Sequence, residues 1–133
     1  MSILDTDHCI AILREKLDLR KHVQADDVLF ITAINVAELT HGAQRSQHRD
    51  DNLARLEVLF AALTVLPFDE SAARRFGLLK AELEQKGETL DDLDLQIASI
   101  ALEHDLPLVT NNTTHFSRVK ELHLQNWIKK NKQ

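Results

Sequence analysis

The chain has 133 residues, of which 44% are hydrophobic and 28% charged, and its 16 Lys plus Arg against 21 Asp plus Glu leave a formal net charge of −5. This length fits one domain, residues 1–133, and the longest apolar runs fall short of the roughly 18 residues that a membrane span needs. The negative charge argues against a general nucleic-acid coat that neutralises many phosphates, but it allows an enzyme that touches nucleic acid locally.

The N-terminal residues, MSILDTDHC, lack a basic segment followed by a long apolar stretch, so we expect no secretory signal. Cys9 is the single cysteine, which excludes a disulfide within the chain. We therefore expect a soluble, cytoplasmic protein that does not associate with membranes.

Short apolar runs alternate with helical patterns along the chain. Strands are predicted at residues 3–4, 28–31, 65–66 and 107–110. Helices are predicted after Asp5, after Thr32, over residues 52–63, over residues 69–86 with Gly87 as the left-handed terminator, and over residues 90–103. Asp7 is expected in the first turn of the first helix, either solvated or capping. The alternation indicates an α/β fold with a mostly parallel sheet and right-handed crossovers.

Four acidic residues lie where such a fold could bring them together. Asp5 ends the first strand, Glu38 lies in the second helix, and Asp91 and Asp94 begin the last predicted helix. In parallel sheets, ligand sites form beyond the carboxyl ends of the strands, so we expect these side chains to face one crevice. Carboxylate oxygens are suited to a hard cation such as Mg²⁺, whose open positions accept phosphate oxygens. The pattern therefore predicts a divalent-metal site for phosphodiester chemistry.

Each of these acids also has a purely structural interpretation. Asp5 and Asp91 are helix N-cap candidates, and Asp94 in a first helical turn is favoured by the helix dipole. Glu38 is equally suited to an ion pair, for which His41, one turn later, is a candidate partner. These interpretations stay open at the level of sequence.

Other catalytic classes lack their motifs. The chain has three glycines and no GxxxxGK[ST], GxGxxG or GxSxG pattern, which argues against nucleotide-cofactor enzymes and hydrolase nucleophile elbows. Its seven histidines do not show the usual spacing of zinc ligands.

Six segments in a fixed order carry a resemblance to a known family: LDTD, NVAEL, VLPFDESAA, GETLDDLDLQIA, LVTNNTTHF and an LxxxNW ending at Leu122 to Trp127. Together they span nearly the whole chain. In these segments the chain resembles the PIN-domain ribonucleases, particularly the VapC-type toxins of toxin–antitoxin pairs.

The resemblance implies an α/β/α sandwich with a mostly parallel central sheet and an endoribonuclease that depends on Mg²⁺, with Mn²⁺ as a substitute. It also implies a homodimer, a small partner antitoxin of the VapB type, and a structured RNA substrate such as tRNA. The family's acids carry over to Asp5, Glu38 and Asp94. Asp5 and Asp94 are then expected to bind the metal directly, and Glu38 to bind it through water or to orient the attacking water. Thr6, Thr110 and Asn112 are candidates for supporting hydrogen bonds to metal ligands or phosphate oxygens.

Two departures from the family pattern affect the expected site. The fourth acidic position of many relatives falls on His115, with Asn112 as a nearby polar residue. Asp91 and Asp92 stand where relatives commonly carry Gly-Pro or similar residues, and Asp91 lies one turn before Asp94. We therefore consider two alternatives: Asp91 restores the missing charge, or the site is weakened and the domain serves in dimerisation and antitoxin binding. A structure-specific DNA nuclease is a third possibility, because a metal–carboxylate site does not itself distinguish the sugar.

Basic residues occur in short groups, which are interpreted either as solvated helix faces and a charged tail or as contacts to RNA around the acidic site. The groups are Arg14, Lys16, Arg20 and Lys21; Arg45, His48 and Arg49; and Lys129, Lys130 and Lys132.

Overall fold

The computed structural model describes residues 1–128. The basic group Lys129, Lys130 and Lys132 lies outside the described residues. Within residues 1–128, no helix is both long enough and apolar enough to cross a bilayer.

Strands and helices alternate along most of the described chain, with a short 3₁₀ turn at Leu19–Lys21. The strands are β1 Ser2–Leu4, β2 Leu29–Thr32, β3 Thr64–Leu66, β4 Leu108–Val109 and β5 Leu124–Gln125. The helices are α1 Thr6–Leu13, α2 Ala33–Gln44, α3 Arg49–Ala61, α4 Glu70–Lys86, α5 Asp92–Glu103 and α6 Thr113–Phe116.

The described strands form one parallel sheet in the order β3-β2-β1-β4-β5. Strand β1 lies in the centre, with Ser2 opposite Leu29 of β2 and Ile3 opposite Leu108 of β4. Because all strands run in the same direction, their carboxyl ends share one edge of the sheet. This edge places the residue after β1 next to the residue after β4, although more than a hundred positions separate them in sequence.

Helices cover both faces of the sheet. Successive side chains of a strand point to opposite faces, so Ile3 joins one buried cluster and Leu4 joins another. The first cluster contains residues of α4 and α5, such as Leu83 and Ile97, and the second contains residues of α1, α2 and α3, such as Leu56. The result is the three-layer α/β/α sandwich with a parallel central sheet that the sequence predicted.

Helix ends agree with the sequence signals at several positions. Thr32 and Asn35 form a reciprocal capping box at the start of α2, and Gly87 ends α4 with φ 68°, a left-handed conformation that glycine adopts without strain. Asp91 occupies the N-cap position of α5, but its side chain makes no capping hydrogen bond. The prediction that Asp91 is the N-cap residue is therefore confirmed for its position, but the predicted capping by its side chain is wrong.

The structure differs from the predicted elements at several places: α5 begins at Asp92 rather than at Leu90, and β5, α6 and the first turn of α3 were not predicted. Strand β5 was not predicted, because its two half-buried residues show no recognisable alternation and it exists only by pairing with β4. Helix α3 begins at Arg49 rather than at Asn52, since its first turn is polar and lies before the apolar stripe.

Candidate active site

Asp5 is the centre of a hydrogen-bond network at the carboxyl edge of the sheet. It follows β1, caps α1, and is only 7% exposed. Its Oδ1 accepts from the Thr6 backbone N–H at 2.8 Å and from Asn35 Nδ2 at 3.1 Å, while Oδ2 accepts from Thr110 Oγ1 at 2.7 Å. Each carboxylate oxygen has two acceptor positions, so Asp5 keeps one open, on Oδ2. N-capping and a ligand role are therefore compatible at this residue.

Glu38 is connected to Asp5 through Thr6. The Thr6 hydroxyl donates to Glu38 Oε1 at 2.8 Å and accepts from Asn35 Nδ2 at 3.0 Å. Within residues 1–128, no side chain donates a hydrogen bond to Glu38 Oε2 and no ion pair joins Glu38 to His41. Glu38 therefore presents one free carboxylate oxygen beside Asp5, and His41 is not its partner.

Asn35 is a functional candidate that the sequence reasoning missed. It is fully buried, and its Oδ1 accepts from the backbone N–H and the hydroxyl of Thr32 at 3.1 and 2.7 Å. Its Nδ2 then points to Asp5 and Thr6, so the capping box that begins α2 also fixes the orientation of the Asp5 carboxylate. The T-x-x-N pattern directly after a predicted strand was the signal that could have identified it.

The loop after β4 is held to the start of α1. Thr110 accepts from the Asn112 backbone N–H at 3.0 Å while it donates to Asp5. Asp7 Oδ2 accepts from the Asn111 backbone N–H at 2.9 Å. The expectation that Asp7 is simply solvated or capping was wrong, since its side chain anchors this loop to α1.

A second contact of Asp7 reaches the C-terminal part of the described chain. Asp7 Oδ1 lies 2.7 Å from Nδ1 of the fully buried His8, and His8 Nε2 accepts from the Trp127 backbone N–H at 3.0 Å. Because Nε2 is an acceptor, the proton of the neutral imidazole lies on Nδ1 and is donated to Asp7. The segment after β5 is thus fixed beside the site.

Asp94 lies in the first turn of α5 and is half-buried. Burial raises its pKa to about 6, with further upward contributions from the charges of Asp5, Asp91, Glu38 and Asp7. The pKa of Asp5 is also raised, chiefly by burial and in part by the charges of Asp7 and Glu38. The direction of both shifts indicates a negative electrostatic environment around Asp5 and Asp94.

The pKa of the buried Cys9 thiol is also affected by these carboxylates. Burial, followed by the charges of Asp5 and Asp7, raises the pKa of Cys9 to about 12. The buried thiol is therefore protonated at neutral pH and behaves as an apolar core group.

A cleft of about 540 Å³, which we call the Asp94 cleft, lies around Asp94. Its lining includes the polar residues Asp91, Asp94, Asn112, His115 and Arg118. His115 Nδ1 lies 2.5 Å from Asn112 Oδ1. The structure thus brings both departures from the family pattern, Asp91 and His115, to the same cleft as Asp94.

The carboxylates have no cationic partners. Among the described residues, no Lys or Arg forms an ion pair with Asp5, Glu38, Asp91 or Asp94. Within the same residues, no three carboxylate, imidazole or thiol side chains stand at the spacing of a formed metal site. The oxygen-only donors and the uncompensated charge of the described residues fit a hard divalent cation.

Comparison with known families identifies the class of protein to which this fold and this acidic edge belong. The PIN domain family model matches residues 2–122, and the chain belongs to that family.

Individual relatives are similar over nearly the full length. The chain is 34% identical over 128 residues to ribonuclease VapC2 of Haemophilus influenzae, covering 95% of this chain and 97% of that protein. It is 34% identical over 127 residues to the tRNA(fMet)-specific endonuclease VapC of Shigella flexneri, covering 94% and 96%. The structure of DNA-bound VapBC from Salmonella typhimurium matches with a TM-score of 0.88 at 33% identity, covering 96% of this chain and 99% of that one.

Proposed function

We propose that this protein is a metal-dependent endoribonuclease and the toxin of a toxin–antitoxin pair, and that it hydrolyses phosphodiester bonds in a structured RNA such as tRNA. The observation that carries the proposal is the group of mutually repelling carboxylates, Asp5, Glu38 and Asp94, at the carboxyl edge of a PIN-fold sheet, without a cationic partner among residues 1–128. The ribonuclease relatives support the reaction, and the tRNA-specific relative supports the substrate class.

In the proposed mechanism, Asp5 and Asp94 bind Mg²⁺ directly and Glu38 binds it through water. Bound there, the ion would supply a water of lowered pKa and offset charge on the scissile phosphate. The free Oε2 of Glu38 is available to orient that water, because Oε1 is held by Thr6. Thr110 and Asn35 keep Asp5 in one orientation, with its open acceptor position on Oδ2.

We propose a VapB-type antitoxin and a second copy of this chain as protein partners. Solved VapBC complexes from Salmonella typhimurium and from nontypeable Haemophilus influenzae support the antitoxin. The resemblance to the VapC-type toxins supports the second copy.

The test is cleavage of total cellular RNA by the purified, antitoxin-free protein with Mg²⁺, with Mn²⁺ and with a chelator. We expect discrete cuts that need a metal ion and that disappear in Asp94→Ala, because this substitution removes a ligand without touching the Asp5 network. Matched RNA and DNA oligonucleotides in the same assay separate a ribonuclease from a DNA nuclease. Cleavage that persists in the chelator would contradict the proposal.

A catalytically weak domain that serves in dimerisation and antitoxin binding is the second candidate. His115 favours it, since an imidazole in contact with Asn112 stands where many relatives of the family carry an acid. A folded protein that binds antitoxin but cuts no RNA with either metal would establish this alternative.

Asp91 decides between a repaired and a weakened site. If its carboxylate replaces the acid lost at His115, Asp91→Asn should weaken Mg²⁺ binding about as much as Asp94→Asn does, which isothermal titration calorimetry can measure. Asp92→Asn is the matched control, because Asp92 starts the same helix but pairs with Lys80 at 2.9 Å. An Mg²⁺ affinity unchanged by Asp91→Asn would rule out the repair.

A further inference from the structure

The arginines of this chain fall into two groups according to whether they have an acidic partner. Four of the eight form ion pairs, at N···O distances between 2.6 and 3.8 Å: Arg20, Arg49, Arg74 and Arg75. Within residues 1–128 the other four form none: Arg14, Arg45, Arg55 and Arg118.

The unpaired arginines are the ones that border the carboxylates. Arg14, Arg45 and Arg55 line a groove of about 380 Å³ that also includes Thr6 and Glu38, which we call the Glu38 groove. Arg118 lines the Asp94 cleft. None of the four paired arginines lines either cavity. The two cavities share no lining residue, and each includes a different member of the carboxylate group.

This distribution runs against simple charge pairing. Arginines next to several uncompensated carboxylates would be expected to form ion pairs with them. Among residues 1–128, however, no arginine side-chain nitrogen lies within 4 Å of a carboxylate oxygen of Glu38 or Asp94. Their guanidinium groups are therefore available to an external anion. The overall net charge of −5 repels a polyanion, so attraction has to come from such local cations.

Two of the four guanidinium groups are held in place by neutral backbone oxygens. Arg118 Nη1 donates to the Thr89 carbonyl at 2.6 Å, and Arg55 donates to the Leu13 carbonyl. A guanidinium has five N–H donors, so one such contact fixes the group and leaves most donors free. A planar group fixed in this way is suited to phosphate oxygens.

We propose that Arg14, Arg45 and Arg55 on the Glu38 side, and Arg118 on the Asp94 side, bind the RNA phosphates that flank the scissile phosphate. The strand then crosses the carboxylates from one cavity to the other. This inference rests on the proposed nuclease function, and these arginines are positioning residues: they hold the strand but do not touch the reacting atoms.

The direct test measures binding without cleavage. The parent is the full-length Asp94→Asn protein in Mg²⁺, and the probe is a fluorescein-labelled single-stranded oligoribonucleotide followed by anisotropy over a range of salt concentrations. We expect Arg45→Gln and Arg118→Gln each to weaken binding about tenfold, as loss of a charge-assisted contact does. Each should also reduce the slope of log K against log salt by about 0.7, the value for one phosphate of a single strand.

Arg74→Gln is the matched control, because it removes the same charge from a surface arginine that pairs with Glu70 and lines neither cavity. It should leave both the affinity and the salt slope unchanged. Thermal melting establishes that each variant is folded. If Arg118→Gln unfolds for lack of its Thr89 contact, Arg14→Gln and Arg45→Gln decide the question, since both side chains are exposed.

Binding and cleavage distinguish failure of this inference from failure of the proposed function. If the arginine variants bind RNA more weakly but the wild-type protein cuts no RNA, the phosphate contacts are supported and the nuclease proposal fails. If the wild-type protein cuts RNA and Arg45→Gln and Arg118→Gln both bind like Arg74→Gln, the inference is wrong. The inference is equally wrong if these variants lose affinity for a polyglutamate peptide but keep their affinity for RNA, because the arginines would then bind an acidic protein segment.

Discussion

Asp94→Asn should make the protein more stable at pH 7 while it abolishes RNA cleavage. Burial of the Asp94 carboxyl, together with the charges of four other carboxylates, raises its pKa to about 6, so its charged form is unfavourable in the folded state. Replacing it with a neutral amide of the same shape removes that penalty. We expect a gain of about 1 kcal/mol after allowing for solvent screening of a half-buried group, or roughly 3 °C in Tm.

The pH dependence of this gain follows from the direction of the pKa shift. The folded protein holds the Asp94 proton up to about pH 6, whereas the unfolded chain loses it near the usual aspartate pKa of 3.8. Between these values the folded state binds more protons, so stability falls as pH rises. The difference in Tm between variant and wild type should therefore be close to zero below pH 3.8, appear between the two pKa values, and be complete above pH 6.

Asp92→Asn serves as the control for this experiment, because Asp92 is exposed and its carboxylate pairs with Lys80. This substitution should leave Tm unchanged or lower it slightly, and it should not affect cleavage. Mg²⁺ should raise the Tm of the wild type more than that of Asp94→Asn. A wild-type Tm that does not respond to Mg²⁺ would count against Asp94 as a ligand.

At Asp5, Ala and Asn substitutions should separate hydrogen bonding from charge. Asp5→Ala leaves three donors without their acceptor: the Thr6 backbone N–H, Asn35 Nδ2 and Thr110 Oγ1. We expect a loss of about 2 kcal/mol, because removing a buried carboxylate with like-charged neighbours offsets part of the cost of three lost bonds. That corresponds to a Tm lower by roughly 6 °C, together with loss of cleavage.

Asp5→Asn keeps an oxygen for Thr6 and Asn35, and its amide can donate to the Thr110 hydroxyl. Its Tm should therefore stay close to that of the wild type, while cleavage is still lost because the charge is gone. Thermal denaturation and RNA cleavage of both variants check the pair. Full cleavage activity in Asp5→Asn would exclude Asp5 as a metal ligand.

The sequence was sufficient for the parts of the site that depend on local pattern. A short apolar run followed by Asp5 identifies a strand end, and in a parallel sheet strand ends share one edge, so the meeting of Asp5 with the loop after β4 could be anticipated. The resemblance to the PIN family, confirmed by the match to residues 2–122, supplied Glu38 and Asp94 as partners.

Three other features depend on contacts between distant segments and could not be read from local pattern. Asn35 looks like an ordinary capping residue until its amide is found on Asp5, and Asp7 looks solvated until the Asn111 backbone is placed beside it. The ion pairs of the arginines could not be predicted from local pattern either. The sequence shows eight arginines, but only the fold shows which four pair with an acidic side chain among residues 1–128.

The contacts of Asp5 have a consequence for the order in which the protein is made. Asp5 is synthesised 105 positions before one of its donors, Thr110, and the His8 imidazole is held by Trp127, which is synthesised later still. A nascent chain on the ribosome carries Asp5, Glu38 and Asp94 long before it can orient them. The same holds for a prematurely terminated fragment, so a chain that ends before Thr110 lacks the assembled site even though it contains the three proposed metal-binding acids.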